Sequence, residues 1–158
     1  LEAFLGPVIH RRSFDRIKSI LDASNKDPSL KLLAGGTYDD SVGFFIHPTV
    51  YQAQSPDHRL FNEEIFGPVL AVYVYADSEW SSLLKKVDQA GGGFALTGAV
   101  FATDRKAARE AEDALRYSAG NFYISTSFPT RLDRVQKLTV YRLQDDCCVN
   151  RPTVLRRC

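Results

Sequence analysis

The residues best suited to chemistry lie in one run, Asn62-Glu63-Glu64-Ile65-Phe66-Gly67-Pro68-Val69-Leu70. Two adjacent carboxylates precede Ile, an aromatic ring and a Gly-Pro corner, and a strand-like segment, Val69–Tyr75, follows at once. A buried strand has no use for two acids at its entrance. A surface loop has no use for Ile and Phe between those acids and the corner.

Other chemically suggestive groups are better explained by structure. Gly91-Gly92-Gly93 follows a predicted helix instead of opening one after a strand, so the dinucleotide fingerprint does not apply and a loop is expected. His10, His47 and His58 are scattered without ligand spacing, and no metal site is expected. Surface or turn roles suit them. Ser125, Thr126 and Ser127 stand in no nucleophile-elbow context. Adjacent Cys147 and Cys148 have neither metal-ligand spacing nor a matching pair.

The elements that must carry the run are legible as a series. Apolar residues at Phe14, Ile17, Ile20 and Leu21 have helical spacing, with Ser13 as N-cap and Asn25 and Pro28 as the stop. Leu30–Ala34 reads as a strand ended by Gly35-Gly36. Residues 43–52 read as an edge or bent extended segment because Pro48 interrupts them. Val69–Tyr75 alternates as a strand should. Asp77 or Ser78 caps a helix through about Asp88, with Trp80, Leu83, Leu84 and Val87 on one face. Residues 97–102 read as a buried strand. Thr103 or Asp104 caps a helix over 105–117, whose small face is Ala107, Ala108, Ala111, Ala114 and Leu115, and 121–124 reads as a further strand. Alternating strands and helices predict an α/β fold with a parallel sheet. After Ser125 the pattern loosens, and 132–143 suits either a strand or a helix.

Composition sets the outer limits. The chain has 158 residues, 44% hydrophobic and 25% charged, with net charge +1. That suits one globular domain and gives no general electrostatic case for nucleic acid or membrane binding. No apolar run reaches the length of a membrane span. The average conceals a split. From Thr126 onward seven basic side chains face three acidic ones, and all three cysteines lie there, whereas the preceding 125 residues are net acidic. Two segments are therefore expected, 1–125 and a divergent basic tail, 126–158. An intracellular, reducing compartment is favoured. Leu1 is not an initiator Met, so the start reads as cut from something longer.

Six motifs, in order, resemble the NAD(P)-dependent aldehyde dehydrogenase superfamily. They are Gly6-Pro7-Val8-Ile9, Ala34-Gly35-Gly36, Gly43-Phe44-Phe45 with Pro48-Thr49-Val50, Glu63 to Val69, Leu96 to Phe101, and Gly120 to Ile124. Within that superfamily, Asp39 to Gly43, Leu70 to Tyr75, and Leu96 to Phe101 with Ala119 to Ile124 are most similar to the mitochondrial 1-pyrroline-5-carboxylate (glutamate semialdehyde) dehydrogenases. The resemblance implies NAD-dependent oxidation of L-glutamate γ-semialdehyde to L-glutamate in proline catabolism, in the mitochondrial matrix. It also implies a homo-oligomeric parent enzyme acting on a small aldehyde. By the same resemblance Glu64 accepts hydrogen bonds from the nicotinamide ribose hydroxyls, and Phe66 packs near the nicotinamide ring. A carboxylate suits a cis-diol because it can accept both hydroxyl protons. Glu63 reads as a solvated or salt-bridged acid.

The sequence also departs from that family. The dinucleotide-binding domain, the nucleophilic cysteine and the general-base Glu are expected upstream of residue 1. Cys147 and Cys148 are in the wrong order and context to be that thiol. The usual Tyr-Gly-Leu is Phe94-Ala95-Leu96, and the Gly-rich substrate loop after the last strand is replaced by Ser125-Thr126-Ser127-Phe128-Pro129-Thr130. The resemblance thus describes part of a catalytic domain with an irregular tail. The chain alone is expected to be inactive and to expose apolar sheet edges. A non-catalytic module that associates with full-length subunits is the rival reading. A nucleic-acid patch on the basic tail is weaker, for want of interleaved aromatics. The break after Ser125 suggests a spliced or frame-shifted terminus rather than a lineage-specific tail. Transcript sequencing across codons 120–130 that found homologous reading resumed in no frame would sink that idea.

Overall fold

The computed structural model describes residues 5–90, 97–125, 139–143 and 153–156. The first helix, α1 (Arg11–Ser24), buries Phe14, Ile17, Ile20 and Leu21, the apolar stripe read from the sequence. Its cap is His10, not Ser13. His10 sits in extended backbone and its Nδ1 accepts from the Ser13 N–H at 3.0 Å. Ser13 lies inside the first turn, and the imidazole does the capping that a hydroxyl was expected to do. Asn25 closes the other end, as expected.

β1 (Leu30–Ala34) runs antiparallel to β4 (Thr49–Ala53), with a bulge between Leu32 and Ala34. A separate ribbon pairs β2 (Tyr38–Asp39) with β3 (Phe45–Ile46). Residues 43–52 therefore divide into β3 and β4 at Pro48, the bend that was expected. β4 is not an edge, however. It lies between β1 and β5 (Val69–Tyr75), pairing parallel with β5 from Thr49↔Val69 to Ala53↔Tyr73. Pro48 sits just outside the strand, so no ladder donor is lost.

A 3-10 turn (Asp77–Glu79) leads into α2 (Trp80–Gln89). The N-cap positions fall on Ala76 and Glu79 and not on Asp77 or Ser78. The Glu79 carboxylate instead reaches back and accepts from the Ala76 N–H at 2.8 Å. β6 (Thr97–Phe101) pairs parallel with β7 (Asn121–Ser125), and α3 (Arg105–Leu115) connects them. Asp104 caps α3 by accepting from the Lys106 N–H at 2.8 Å. The buried residues of α3 are Ala108, Ala111 and Leu115; Ala114, expected on that face, is exposed.

Among the described residues the main sheet has seven strands, in the order β1-β4-β5-β9-β8-β6-β7. The parallel β4–β5 and β6–β7 pairs follow the α/β reading. The tail, expected to be irregular, adds two strands, β8 (Thr139–Leu143) and β9 (Thr153–Arg156). Two cores result. One joins α1 to β4, β5 and Ile65, and the other joins Leu84 of α2 to Val100, Ala102 and the buried face of α3.

Candidate cofactor-binding site

The acidic run occupies the loop 62–68, at the start of β5. Ile65 and Val69 are both 1% exposed and anchor it in the first core. Between them Phe66 turns outward, 49% exposed, with φ +55°. It is the one non-glycine residue with positive φ among those described. Left-handed backbone costs a residue with a Cβ about 1–2 kcal/mol, so the surroundings must hold the loop in place.

Five contacts do so. The Arg16 guanidinium donates to the Glu64 carbonyl oxygen at 3.0 Å and to the Ile65 carbonyl oxygen. The Val69 N–H donates back to the Gly67 carbonyl at 2.7 Å, closing the corner. The Thr49 N–H donates to the Pro68 carbonyl at 2.8 Å, tying the corner to β4. Gly67 lies directly on α1, where a Cβ would stand 2.5 Å from Ile17 Cδ1. The Gly-Pro corner thus requires Gly for close approach and not for an unusual φ.

The loop is braced from upstream as well. A 3-10 turn (Arg59–Phe61) precedes it, and the Glu63 N–H donates to the Arg59 carbonyl at 3.0 Å. His58 caps that turn, its Nδ1 accepting from the Leu60 N–H at 3.2 Å. With Nδ1 as acceptor, Nε2 carries the proton and faces Asp27 at 3.2 Å. Asp27 also accepts from the Ser29 hydroxyl at 2.6 Å and the Ser29 N–H at 2.8 Å. These hydrogen bonds, Ser29 first and His58 after it, lower its pKa to about 2.

Motifs that are far apart in sequence meet here. The Gly36 N–H donates to the buried Thr49 Oγ1 at 2.9 Å, and a Cβ on Gly35 (φ +74°) would fall 2.1 Å from the Pro48 carbonyl oxygen. The Gly-Gly turn, the Pro48-Thr49 bend and the Gly67-Pro68 corner therefore form one contiguous support. Asn25 extends it, donating to the Gly36 carbonyl at 3.0 Å and accepting from the Tyr51 hydroxyl at 2.6 Å. Burial, aided by Asp22, pushes the Tyr51 phenol up to about 12 and keeps it a donor. The opening motif joins too, through Val8 N–H to the Phe44 carbonyl at 2.9 Å and the Phe44 ring against Phe14. The last two motifs meet separately, as β6 and β7, where Gly98 lies under the Phe122 ring.

Glu64 is half-buried, and its Oε1 is shut off from solvent with no hydrogen-bond partner among the described residues. A carboxylate oxygen short of donors costs about 1–3 kcal/mol. The terminal torsion of Glu is soft, so either oxygen can be offered to a ligand that brings hydroxyl donors. Glu63 is exposed, as expected. The site thus pairs an acceptor lacking donors with an outward aromatic ring two residues on, a combination that fits a ribose diol and a flat heteroaromatic ring. Sequence reasoning missed Arg16. Its partners lie 48 and 49 residues further on, and no local pattern marks it.

The histidines take structural roles: His10 and His58 cap, and His47 shares a hydrogen bond with Thr37 at 2.6 Å. Gly91 to Gly93, Cys147, Cys148 and Cys158 lie outside the described residues. Among the described residues, no cluster of three or more His, Cys, Asp or Glu could hold a metal, and no helix is long and apolar enough to cross a membrane. A cleft of about 240 Å³ lined by Tyr75, Trp80, Asp104 and Glu110 lies at the far end of β5, away from Glu64.

A sequence model described as the aldehyde dehydrogenase family matches residues 2–136. The match runs beyond Ser125. The mitochondrial delta-1-pyrroline-5-carboxylate dehydrogenase of Emericella nidulans is 50% identical over 125 residues, and that of Bos taurus 49% over 122; each alignment covers 77% of this chain and 22% of the relative. The crystal structure of the Mycobacterium tuberculosis delta-pyrroline-5-carboxylate dehydrogenase is similar, with TM-score 0.66 and 38% identity over 79% of this chain and 22% of that one. Its NAD-bound form aligns with TM-score 0.65 and 33% identity over 92% of this chain and 24% of that one. The chain thus spans about a fifth of the relatives it matches. It belongs to the aldehyde dehydrogenase family.

Proposed function

We propose that this chain is the nicotinamide-ribose side of a 1-pyrroline-5-carboxylate dehydrogenase catalytic domain. The reaction is NAD-dependent oxidation of L-glutamate γ-semialdehyde to L-glutamate, in a homo-oligomeric mitochondrial matrix enzyme of proline catabolism. The observation that carries this is the donor-starved Glu64 carboxylate on a loop that also turns Phe66 outward. The relatives' names support the substrate, and the NAD-bound relative supports the cofactor.

NAD⁺, when bound, supplies the hydride acceptor. Glu64 accepts from the two ribose hydroxyls and so fixes the sugar. Phe66 restrains the nicotinamide ring by packing. Arg16, Gly67 and Thr49 keep the loop from relaxing toward ordinary backbone, which holds both side chains ready before the cofactor arrives. The three cysteines all follow the motif, so these 158 residues supply no thiol in the family's position for the covalent step. The purified chain is therefore expected to reduce no NAD⁺ with the semialdehyde; measurable turnover would refute that.

The reading is tested in a chimera in which residues 5–125 replace the matching segment of the bovine relative. Turnover with the semialdehyde is expected, and Glu64→Ala is expected to cut kcat/KM by about 100-fold through lost cofactor placement. An Ala variant as active as its parent would remove Glu64 from the site.

A further inference from the structure

α1 and the link that follows it hold the cofactor loop at two places. Arg16, within α1, takes the carbonyls of Glu64 and Ile65. Asp27, just past the end of α1, reaches the turn Arg59–Phe61 that feeds the loop, and it does so through His58. Asp27 is itself fixed on several sides. Its N–H donates to the Ser24 carbonyl at 3.2 Å, and its carbonyl accepts from the Leu30 N–H at 3.1 Å. Its Oδ1 accepts from both the N–H and the hydroxyl of Ser29, whose carbonyl accepts from the Gln54 N–H at 3.0 Å. Its Oδ2 is left for His58 Nε2, at 3.2 Å.

A neutral imidazole has one donor and one acceptor nitrogen. An ionised carboxylate can only accept, so Asp27 draws the proton to Nε2 and leaves Nδ1 as the acceptor for the Leu60 N–H. The His58 side chain is 10% exposed, so its protein partners and not water select the tautomer. The capped turn is then carried into the loop. Leu60 and Phe61 are buried in the first core, and the N–H groups of Asn62 and Glu63 both donate to the Arg59 carbonyl, at 2.9 and 3.0 Å. We infer that Asp27 is a positioning residue for the cofactor loop: by fixing the His58 tautomer it sets the turn that aims Glu64 and Phe66. It acts through His58 and touches no ligand. The inference rests on the cofactor reading of Glu64, and two readouts separate them.

Asp27→Asn breaks the link in a defined way. The Ser29 N–H needs an acceptor, so the amide oxygen stays on Ser29 and the NH2 group faces His58. Nε2 must then accept, the proton moves to Nδ1, and two donors oppose each other at Leu60. His58→Asn bypasses the link, because Asn caps through a carbonyl oxygen that has no tautomer. In the chimera, Asp27→Asn is expected to raise the NAD⁺ dissociation constant about fivefold, the size of one lost cap, and to have no such effect in the His58→Asn background. Equal weakening in both backgrounds would make Asp27 a turn residue only and overturn the inference, as would no weakening in either. The second readout does not involve the cofactor. In the full chain labelled at the histidine ring nitrogens, signals come from His10, His47 and His58 alone, and their chemical shifts report which nitrogen carries the proton. Asp27→Asn is expected to move the His58 proton from Nε2 to Nδ1 and to leave His10 and His47 unchanged. An unmoved His58 proton would overturn the inference whatever the cofactor result. A moved proton together with full NAD⁺ affinity in Glu64→Ala would leave the Asp27 link standing and sink the reading of Glu64 alone.

Discussion

The Arg16 guanidinium donates to the main-chain carbonyl oxygen of Glu64 at 3.0 Å, so a helix side chain holds the backbone of the loop whose own side chain is the proposed acceptor. The same guanidinium also takes the next carbonyl, on Ile65. Charged donors are worth about 1.5–3 kcal/mol when sheltered. Exposure of Arg16 reduces that, so Arg16→Ala is expected to cost about 1 kcal/mol, read as a lower urea midpoint. Arg16→Lys keeps the charge without the planar fork and is expected to fall between the two. An unchanged midpoint for the Ala variant would mean that the clamp contributes nothing.

Two glycines are needed for different reasons, and their alanine variants separate them. Gly67→Ala places a methyl 2.5 Å from Ile17 Cδ1, an overpacking expected to cost about 1–3 kcal/mol. Ile17→Val removes that Cδ1, so the double variant should recover part of the loss. Gly35→Ala meets the Pro48 backbone at 2.1 Å and has φ +74°, so no side-chain change nearby can relieve it. Denaturant titrations should rank Gly35→Ala as the more damaging.

Phe66 sets stability against function. Phe66→Gly relieves left-handed strain but adds unfolded-state entropy, so the thermal midpoint should stay within a change equivalent to about 1 kcal/mol. Phe66→Val places a β-branched residue at φ +55° and should lower it. A Val variant as stable as wild type would show that the loop does not enforce this backbone. In the chimera, both changes are expected to weaken NAD⁺ binding, measured by fluorescence titration.

Acid should loosen the upstream brace. Ser29 and then His58 lower the Asp27 pKa from 3.8 to about 2. A depressed carboxyl pKa stabilises the fold above the unfolded value and loses that contribution as pH falls through the folded one. Stability attributable to Asp27 is therefore full above about pH 4 and fades toward about pH 2. Asp27→Asn should lower stability at neutral pH and flatten the decline in that window. Parallel wild-type and variant acid titrations would contradict this.

The reach of the sequence can be judged residue by residue. α1 and β5 were legible because Phe14, Ile17 and Leu21, and alternate residues of β5, carry the periods of helix and strand. The cap of α1 was misplaced by three residues because His10 acts there through a ring nitrogen, which capping preferences for Ser or Asp do not reveal. The central position of β4 was hidden by Pro48, which lies one residue before the strand. Glu64 and Phe66 were singled out by resemblance, but their support was not. Arg16 reaches across the fold, and Gly35, Pro48, Thr49 and Pro68 converge only when β4 and β5 pair. Of the tail strands, β8 falls where strand and helix were both left open and β9 was not read at all, because their partners, β5 and β6, are set by topology and not by local pattern.

The central claim is that Glu64 faces the nicotinamide ribose. A crystal structure of the chimera with NAD⁺ measures that contact directly. Glu64 carboxylate oxygens within about 2.5–3.0 Å of the ribose hydroxyls are predicted. Electron density placing the ribose beyond hydrogen-bond reach of Glu64, with the Phe66 ring turned away from the nicotinamide, would contradict it.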